Sequence, residues 1–296
     1  MDRAQQLSEF LRVRRARLNP DDTGVPQFGG RRRVPGLRRE ELAHLAGVSV
    51  DYYTRLEQGR ARNASSDVLD AVARALGLDD DERAHLHNLA RPTTTRKRPS
   101  RAQRVGSEMR QALDALTGVP AYIIGRRLDI LAWNAMACAL IADFAAMPAV
   151  ERNMARMVFL DEASKDLYPD WEDKARTTVA NLRLDAGRHL DDPRLASLVG
   201  ELSLGSADFR RLWADHNVRG KTRGKKRFAH PRLGDLSLDY VAMRAPDDPD
   251  MTMMIYSAPI GSDAAIALQL LSTLSARPHS GPPQAYCAPQ PVHLEH

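Results

Sequence analysis

Arg55 carries a flat fork of N–H donors, the group that best fits the paired O6 and N7 acceptors on the edge of guanine. It lies in the stretch REELAHLAGVSVDYYTRLEQGR, residues 39–60. Tyr53 and Leu56, three residues apart, give this stretch a buried helical edge. Ser49, Val50, Asp51, Tyr52, Thr54 and Arg55 are left off that edge. Asp51 can accept from a cytosine amine, or simply stabilise the first turn of its own helix. Val50 can touch a thymine methyl. A helix of about ten residues is roughly 15 Å long and fits the major groove of duplex DNA.

Such side chains reach bases only from a helix that is held out for them. Leu42, Ala43, Leu45 and Ala46 fall at helical spacing and predict one short helix. Gly47 ends it by taking a left-handed backbone at no steric cost. Ser49 then caps a second helix, with Asp51 in its first turn. Two short helices crossing at a small residue, Ala43, make a helix-turn-helix. A helix over residues 5–18 and two more at 66–76 and 79–89 complete an all-α domain of five helices. Arg38 and Arg39 stand where the second helix begins, a place that favours Ser, Thr or Asp. Glu40 and Glu41 only partly offset their opposition to the helix dipole. A DNA phosphate at that helix end resolves the conflict, which makes both arginines candidate DNA contacts. The basic insert at residues 24–36, with Arg31, Arg32 and Arg33, is either a second phosphate clamp or a solvated loop.

Charge supports this placement. The 296 residues carry a net +5. Residues 1–105 hold 21 Arg and Lys against 14 Asp and Glu, whereas residues 106–296 hold 22 against 24. The basic excess therefore lies wholly in the part with the helix-turn-helix, as a polyanion-binding module requires. Residues 91–105 include RPTTTRKRPSR and read as a basic linker. From there to residue 276 the pattern is mixed. A hairpin is expected over 121–124 and 128–131, and strands at 236–240 and 251–256. Helices are expected over 132–147, 151–161, 174–189, 193–202, 207–215 and 262–275. This is an α+β domain. The tail at 277–296 is Pro-rich and expected to be disordered, and its final Leu294-Glu295-His296 reads as a tag remnant. The start MDRAQQLSEF has no signal-peptide core, no stretch has the length of a membrane span, and Cys138 and Cys287 form no CxxC pair. The expectation is a reduced, cytoplasmic protein without a metal site, a disulfide or membrane attachment.

The segment VSVDYYTRLEQGR, followed by DVLDAVARALGL at 67–78, resembles the XRE family of phage-repressor-type regulators over roughly residues 1–90. That resemblance implies base-reading roles for Val50, Asp51 and Arg55 and phosphate contacts for Ser49 and Arg60, with Tyr52 on the exposed side. PAYIIGRRLDILAWNAMA, LRLDAGRH, FRRLWADHNVRGKTRGKKRFAHPRLGDLSLDY and IYSAP resemble the ligand-binding domain of MmyB-like regulators. Those proteins join an XRE-type head to a PAS-like sensor. The resemblance implies a sheet with helices over one face, an apolar cavity between them, and a long-chain fatty acid as a ligand.

Trp133, Phe144, Phe159, Trp213, His216, Tyr240, Met243 and Met254 are candidates for lining such a cavity, although ordinary core is the commoner fate of such residues. Met side chains suit an adaptable apolar pocket. A buried ligand carboxylate needs a partner, and Arg183, His216 and Arg219 are candidates. No GxGxxG, GxxxxGK[ST], HExxH or GxSxG occurs, and the nine histidines show no metal-ligand spacing. The expectation is a sequence-specific, homodimeric DNA-binding regulator and not an enzyme. Its partners are double-stranded DNA and an apolar small molecule, with no cofactor. A C-terminal domain that docks a protein is the main alternative, and a DNA-targeted enzyme the weaker one.

Overall fold

The head follows the apolar spacing closely. It contains α1 (Arg3–Arg17), α2 (Arg39–Leu45), α3 (Val50–Glu57), α4 (Ser66–Ala75) and α5 (Asp80–Ala90). The structure, a computed structural model, describes residues 3–23, 36–61, 64–90, 103–189, 192–215, 222–245 and 248–275. Gly47 has φ +65°, and the Ser49 hydroxyl accepts from Tyr52 N at 3.1 Å. The break and the cap are thus both as the residues predict. Phe10, Leu11, Leu42, Tyr53, Leu56, Val72 and Leu86 form a shared, fully buried core. Gly59 turns the chain after α3 at φ +68°, where a Cβ would lie 2.6 Å from the Ala4 carbonyl oxygen. Gly59→Ala meets both left-handed strain and backbone contact, so a loss of about 1–3 kcal/mol is expected in urea unfolding. An unchanged midpoint would mean that α1 yields freely.

Two compact units are present: residues 1–100 with 179–220, and residues 101–178 with 221–296. Residues 179–220, which the sequence places in the C-terminal domain, therefore pack with the head. They comprise the second half of α10 (Trp171–Arg188), α11 (Pro193–Gly205) and α12 (Ala207–Ala214).

The other unit is built on a five-stranded antiparallel sheet, ordered β2-β1-β5-β4-β3. The strands are β1 (Ala121–Ile124), β2 (Ile130–Trp133), β3 (Arg223–His230), β4 (Gly234–Arg244) and β5 (Thr252–Ser257). The helices of this unit are α6 (Ser107–Ala115), α7 (Ala135–Leu140), α8 (Met154–Leu160), α9 (Ala163–Leu167), the first half of α10, and α13 (Asp263–Ser275). Leu113 of α6 packs with Ala121, Ile123, Ala132 and Met253 on one face. Tyr122, Tyr256 and Phe228 face the other way, in ring contact with Phe144 and Tyr168.

Several expected elements shift, each for a local reason. The helix expected over 132–147 is only α7. The Asn134 carboxamide oxygen accepts from Ala137 N, which starts the helix there, and from Ala121 N. Its nitrogen donates to Leu116 O and Val119 O. Asp143 then accepts from Ala145 N and Ala146 N, a side-chain turn that competes with helix. The second hairpin strand starts at Ile130, because Arg127 and Leu128 take φ 59° and 65°. Buried Asn153 holds that turn by donating to Arg127 O at 2.8 Å, and its oxygen caps α8 at Ala155 N and Arg156 N. The helix expected over 151–161 accordingly begins at Met154. Strand β3 is not expected from the residues, because its cations hide its alternation: Lys226, Phe228 and His230 are buried, and Arg223, Lys225 and Arg227 are exposed. The short helices α6 and α9 were likewise not expected.

Candidate DNA interface and ligand cavity

Ser49, Val50, Asp51, Arg55 and Arg60 are exposed on or beside α3, and Tyr52 is half-buried. Arg55 Nε lies 3.3 Å from an Asp51 carboxylate oxygen, one helical turn away, and its guanidinium stands 6.0 Å from the Tyr52 ring centroid. Asp51 and Arg55, two of the three residues that resemble base readers, thus form one surface cluster with Tyr52. Asp51 and Tyr52 limit the orientations open to the Arg55 fork.

Arg38 and Arg39 part company. Arg38 is the N-cap of α2, and its backbone N–H donates to the Glu41 carboxylate at 2.7 Å. The Glu41 carboxylate thus satisfies the backbone N–H of the N-cap residue. Arg39 pairs with Glu57, which is 2 % exposed. Glu57 also accepts from Arg15 Nε at 2.8 Å and from the Tyr53 hydroxyl at 3.3 Å, while Arg15 donates to Leu37 O at 2.6 Å. Glu57 therefore ties α3 to α1 and α2 from beneath. The Arg39 guanidinium is engaged on that side and still half-exposed, so the Arg39 charge has a carboxylate partner within the protein. The insert at residues 24–36 falls almost entirely outside the described residues, so its reading as a clamp is not addressed.

The sheet unit holds a cavity of about 380 Å³. Ile141, Met154, Met157, Val158, Leu167, Tyr168 and Ala229 supply most of its wall. It lies among the end of α7, α8, α9 and the end of β3. His230 secures that corner, with Nε2 2.9 Å from Ala139 O and Nδ1 accepting from Arg232 N. The Tyr168 hydroxyl is buried and has no hydrogen-bond partner among the described residues. Burial, and then the neighbouring Tyr256, push its pKa well above the ordinary value, so it stays a neutral O–H. Lys174 Nζ lies 4.9 Å from the Tyr168 ring centroid, and the residue is 7 % exposed. Burial, and then Lys226, push the Lys174 pKa down to about 7. Lys226 has a carboxylate, Asp173, at 3.4 Å, whereas Lys174 makes no ion pair among the described residues.

None of the eight described residues among the ten expected to line a cavity lines this one. Trp133, Phe144 and Tyr240 belong to the aromatic core over the sheet. Phe159 turns away from the cavity onto Trp171, 5.9 Å between centroids. Met254 is half-buried in β5, and Met243 is 55 % exposed on β4. Arg183 and Trp213 lie in the unit that contains the head, where the guanidinium stacks 4.1 Å from the indole and donates to Trp213 O. His216 and Arg219 lie outside the described residues. The sequence signal that points to the true wall is Met154 and Met157, three apart on an apolar helix, but a core helix shows the same pattern.

Residues 105–271 match a family model described as the MmyB-like transcription regulator ligand binding domain. Residues 6–86 match a helix-turn-helix domain model. No curated protein matches the chain. Among the described residues no helix is long and apolar enough to cross a membrane.

Proposed function

The chain belongs to the MmyB-like transcription regulators, and from that premise we propose that it is a sequence-specific DNA-binding regulator whose second unit senses an apolar small molecule in the cavity beside Tyr168. The observation that carries the ligand reading is a largely apolar cavity walled in part by Tyr168, whose buried hydroxyl has no hydrogen-bond partner among the described residues. Its volume is within the range of small-molecule sites. An orphaned buried O–H is unfavourable until something accepts from it. Lys174, a buried ammonium beside that tyrosine with no ion pair among the described residues, favours an acidic head group. A long-chain fatty acid, the ligand the family resemblance implies, meets both requirements. The PAS-like reading is supported by the antiparallel sheet and the helices around the cavity.

On the DNA side, Arg55 reads guanine, Val50 and Asp51 flank it, and Ser49 and Arg60 hold phosphates. A homodimer sets two such helices on successive half-sites. Arg55→Ala is expected to lower affinity for a duplex selected with the full chain by about 1–3 kcal/mol, and to relax the preference at one base pair. A small, uniform loss across unrelated duplexes would instead make Arg55 a phosphate contact. Sedimentation at micromolar concentration tests the dimer.

The ligand reading is tested by calorimetric titration of the full chain with hexadecanoate, alongside mass spectrometry of the gently purified and then denatured protein. Saturable binding that Tyr168→Phe weakens is expected. An empty protein that takes up no hexadecanoate would overturn the fatty-acid reading and favour a protein-docking role for this unit.

A further inference from the structure

The cavity has two unlike ends. Val158, Ser164 and Tyr168 belong to its wall and are buried, whereas Asp161, Asp166 and Pro231 belong to it and are exposed. The exposed residues mark the mouth, and the buried ones the deep wall. Asp161 and Asp166 are the charged residues of the lining, and no Lys, Arg or His belongs to it among the described residues. Asp161 is held in place, because its carboxylate accepts from Ala163 N at 3.0 Å where α9 begins. Neither carboxylate has an ion-pair partner among the described residues. Glu162 adds a third exposed carboxylate to the same stretch. Its cation, Lys165, lies with Nζ 5.2 Å from the Trp171 ring centroid and is not part of the lining.

The deep wall has the opposite character. The Ser164 hydroxyl donates to Val158 O at 3.0 Å and accepts from Trp171 Nε1 at 3.2 Å, so its bonds are made within the protein. Tyr168 remains as the deep residue whose hydroxyl has no partner among the described residues, and Lys174 lies against its ring. The groups that favour a negative charge thus stand at the deep end, and those that oppose one stand at the mouth.

We propose that Asp161 and Asp166 make the mouth a charge selector. The cavity takes the free acid of an alkyl chain with its carboxylate inward and its tail toward the mouth. It turns away chains whose anionic group must stay outside, such as acyl-coenzyme A thioesters and phospholipids. The proposal rests on the reading that the cavity takes an apolar ligand. A free acid that enters head-first lays its methylenes on Ile141, Met154 and Met157 and leaves no charge at the mouth. A thioester has a head group bulkier than its chain, so it enters tail-first. Its phosphates then meet two carboxylates, and its methyl end gives the Tyr168 hydroxyl and Lys174 nothing to pair with. Repulsion of the wrong ligand and a missing bond to it act together, the two routes by which a site discriminates.

The test is competition on the full chain. The probe is ω-(dansylamino)undecanoate, whose fluorophore sits at the far end of the chain from the carboxylate. Bound probe is expected to keep its fluorophore open to quenching by acrylamide. At low salt, hexadecanoate is expected to displace it at least about tenfold more tightly than hexadecanoyl-coenzyme A, the scale of one charge-assisted hydrogen bond. High salt should narrow that gap. Asp161→Asn together with Asp166→Asn is expected to strengthen the thioester about fivefold and to leave hexadecanoate within about twofold. Asparagine keeps an acceptor for Ala163 N, so α9 retains its start. Equal affinity for acid and thioester, equal gains for both in the double variant, or a fluorophore shielded from acrylamide would overturn the selector and leave the ligand reading standing. So would binding of the thioester alone. If neither acid binds saturably, the ligand reading fails and the selector with it.

Discussion

Glu57→Ala is expected to destabilise the DNA-reading head by about 3–5 kcal/mol, the range for removing one partner of a buried ion pair. The carboxylate is buried beneath α3 and receives Arg15, Arg39 and the Tyr53 hydroxyl. Arg39 is half-exposed and can return to water. The Tyr53 hydroxyl cannot, and Arg15, partly buried, keeps only Leu37 O. A buried donor left without its acceptor is more unfavourable than the pairing itself is favourable. Glu57→Gln keeps an acceptor and loses only the charge, so a smaller effect is expected. Urea unfolding of the full chain, followed by exchange at α1–α5 amides, separates the two variants. Equal, small effects from both would mean that the network is solvated and that apolar packing alone holds α3. Since α3 carries Arg55, the same variant should weaken DNA binding without altering Arg55 itself.

This network also marks the limit of what the residues disclose in order along the chain. The break at Gly47, the Ser49 cap and the buried edge of Tyr53 and Leu56 depend on neighbours within a turn or two, and the spacing of apolar, small and capping residues specifies them. Arg15 on α1 looks like surface decoration, because its partner lies 42 positions away. The strand β3 reads as a charge run, since only its partner β4 and the helices beneath it make Lys226 an interior residue. The cavity wall comes from the ends of four elements, and no local pattern marks their meeting. The aromatic residues that seemed apt for a pocket instead fill the sheet face, where large rings bury the most area. The association of residues 179–220 with the head depends on contacts such as Leu184 with Phe10, and no feature of composition distinguishes that segment from its flanks.

Lys174→Met is expected to stabilise the protein near neutral pH by an amount on the order of a few kcal/mol. The direction follows from linkage. Burial lowers the Lys174 pKa from the ordinary 10.5 to about 7. Between those values the unfolded chain holds a proton that the folded chain has released, so stability rises with pH across that window. Below about pH 7 both states are charged and the full penalty of the buried ammonium is present. The advantage of the methionine variant should therefore be greatest near pH 7 and below, and should shrink toward pH 10. Comparison of the two proteins at each pH cancels the other groups that titrate there. A difference that does not vary with pH would show that Lys174 is solvated in the folded protein and titrates normally. A side chain that weakens the fold in which it sits points to a role beyond packing, and the acidic head group inferred for the ligand supplies one. Hexadecanoate should then raise the unfolding midpoint of the wild-type chain more than that of Lys174→Met, since only the former gains a partner for its buried charge. Equal gains in the two proteins would leave the cavity as the binding site but remove Lys174 from it.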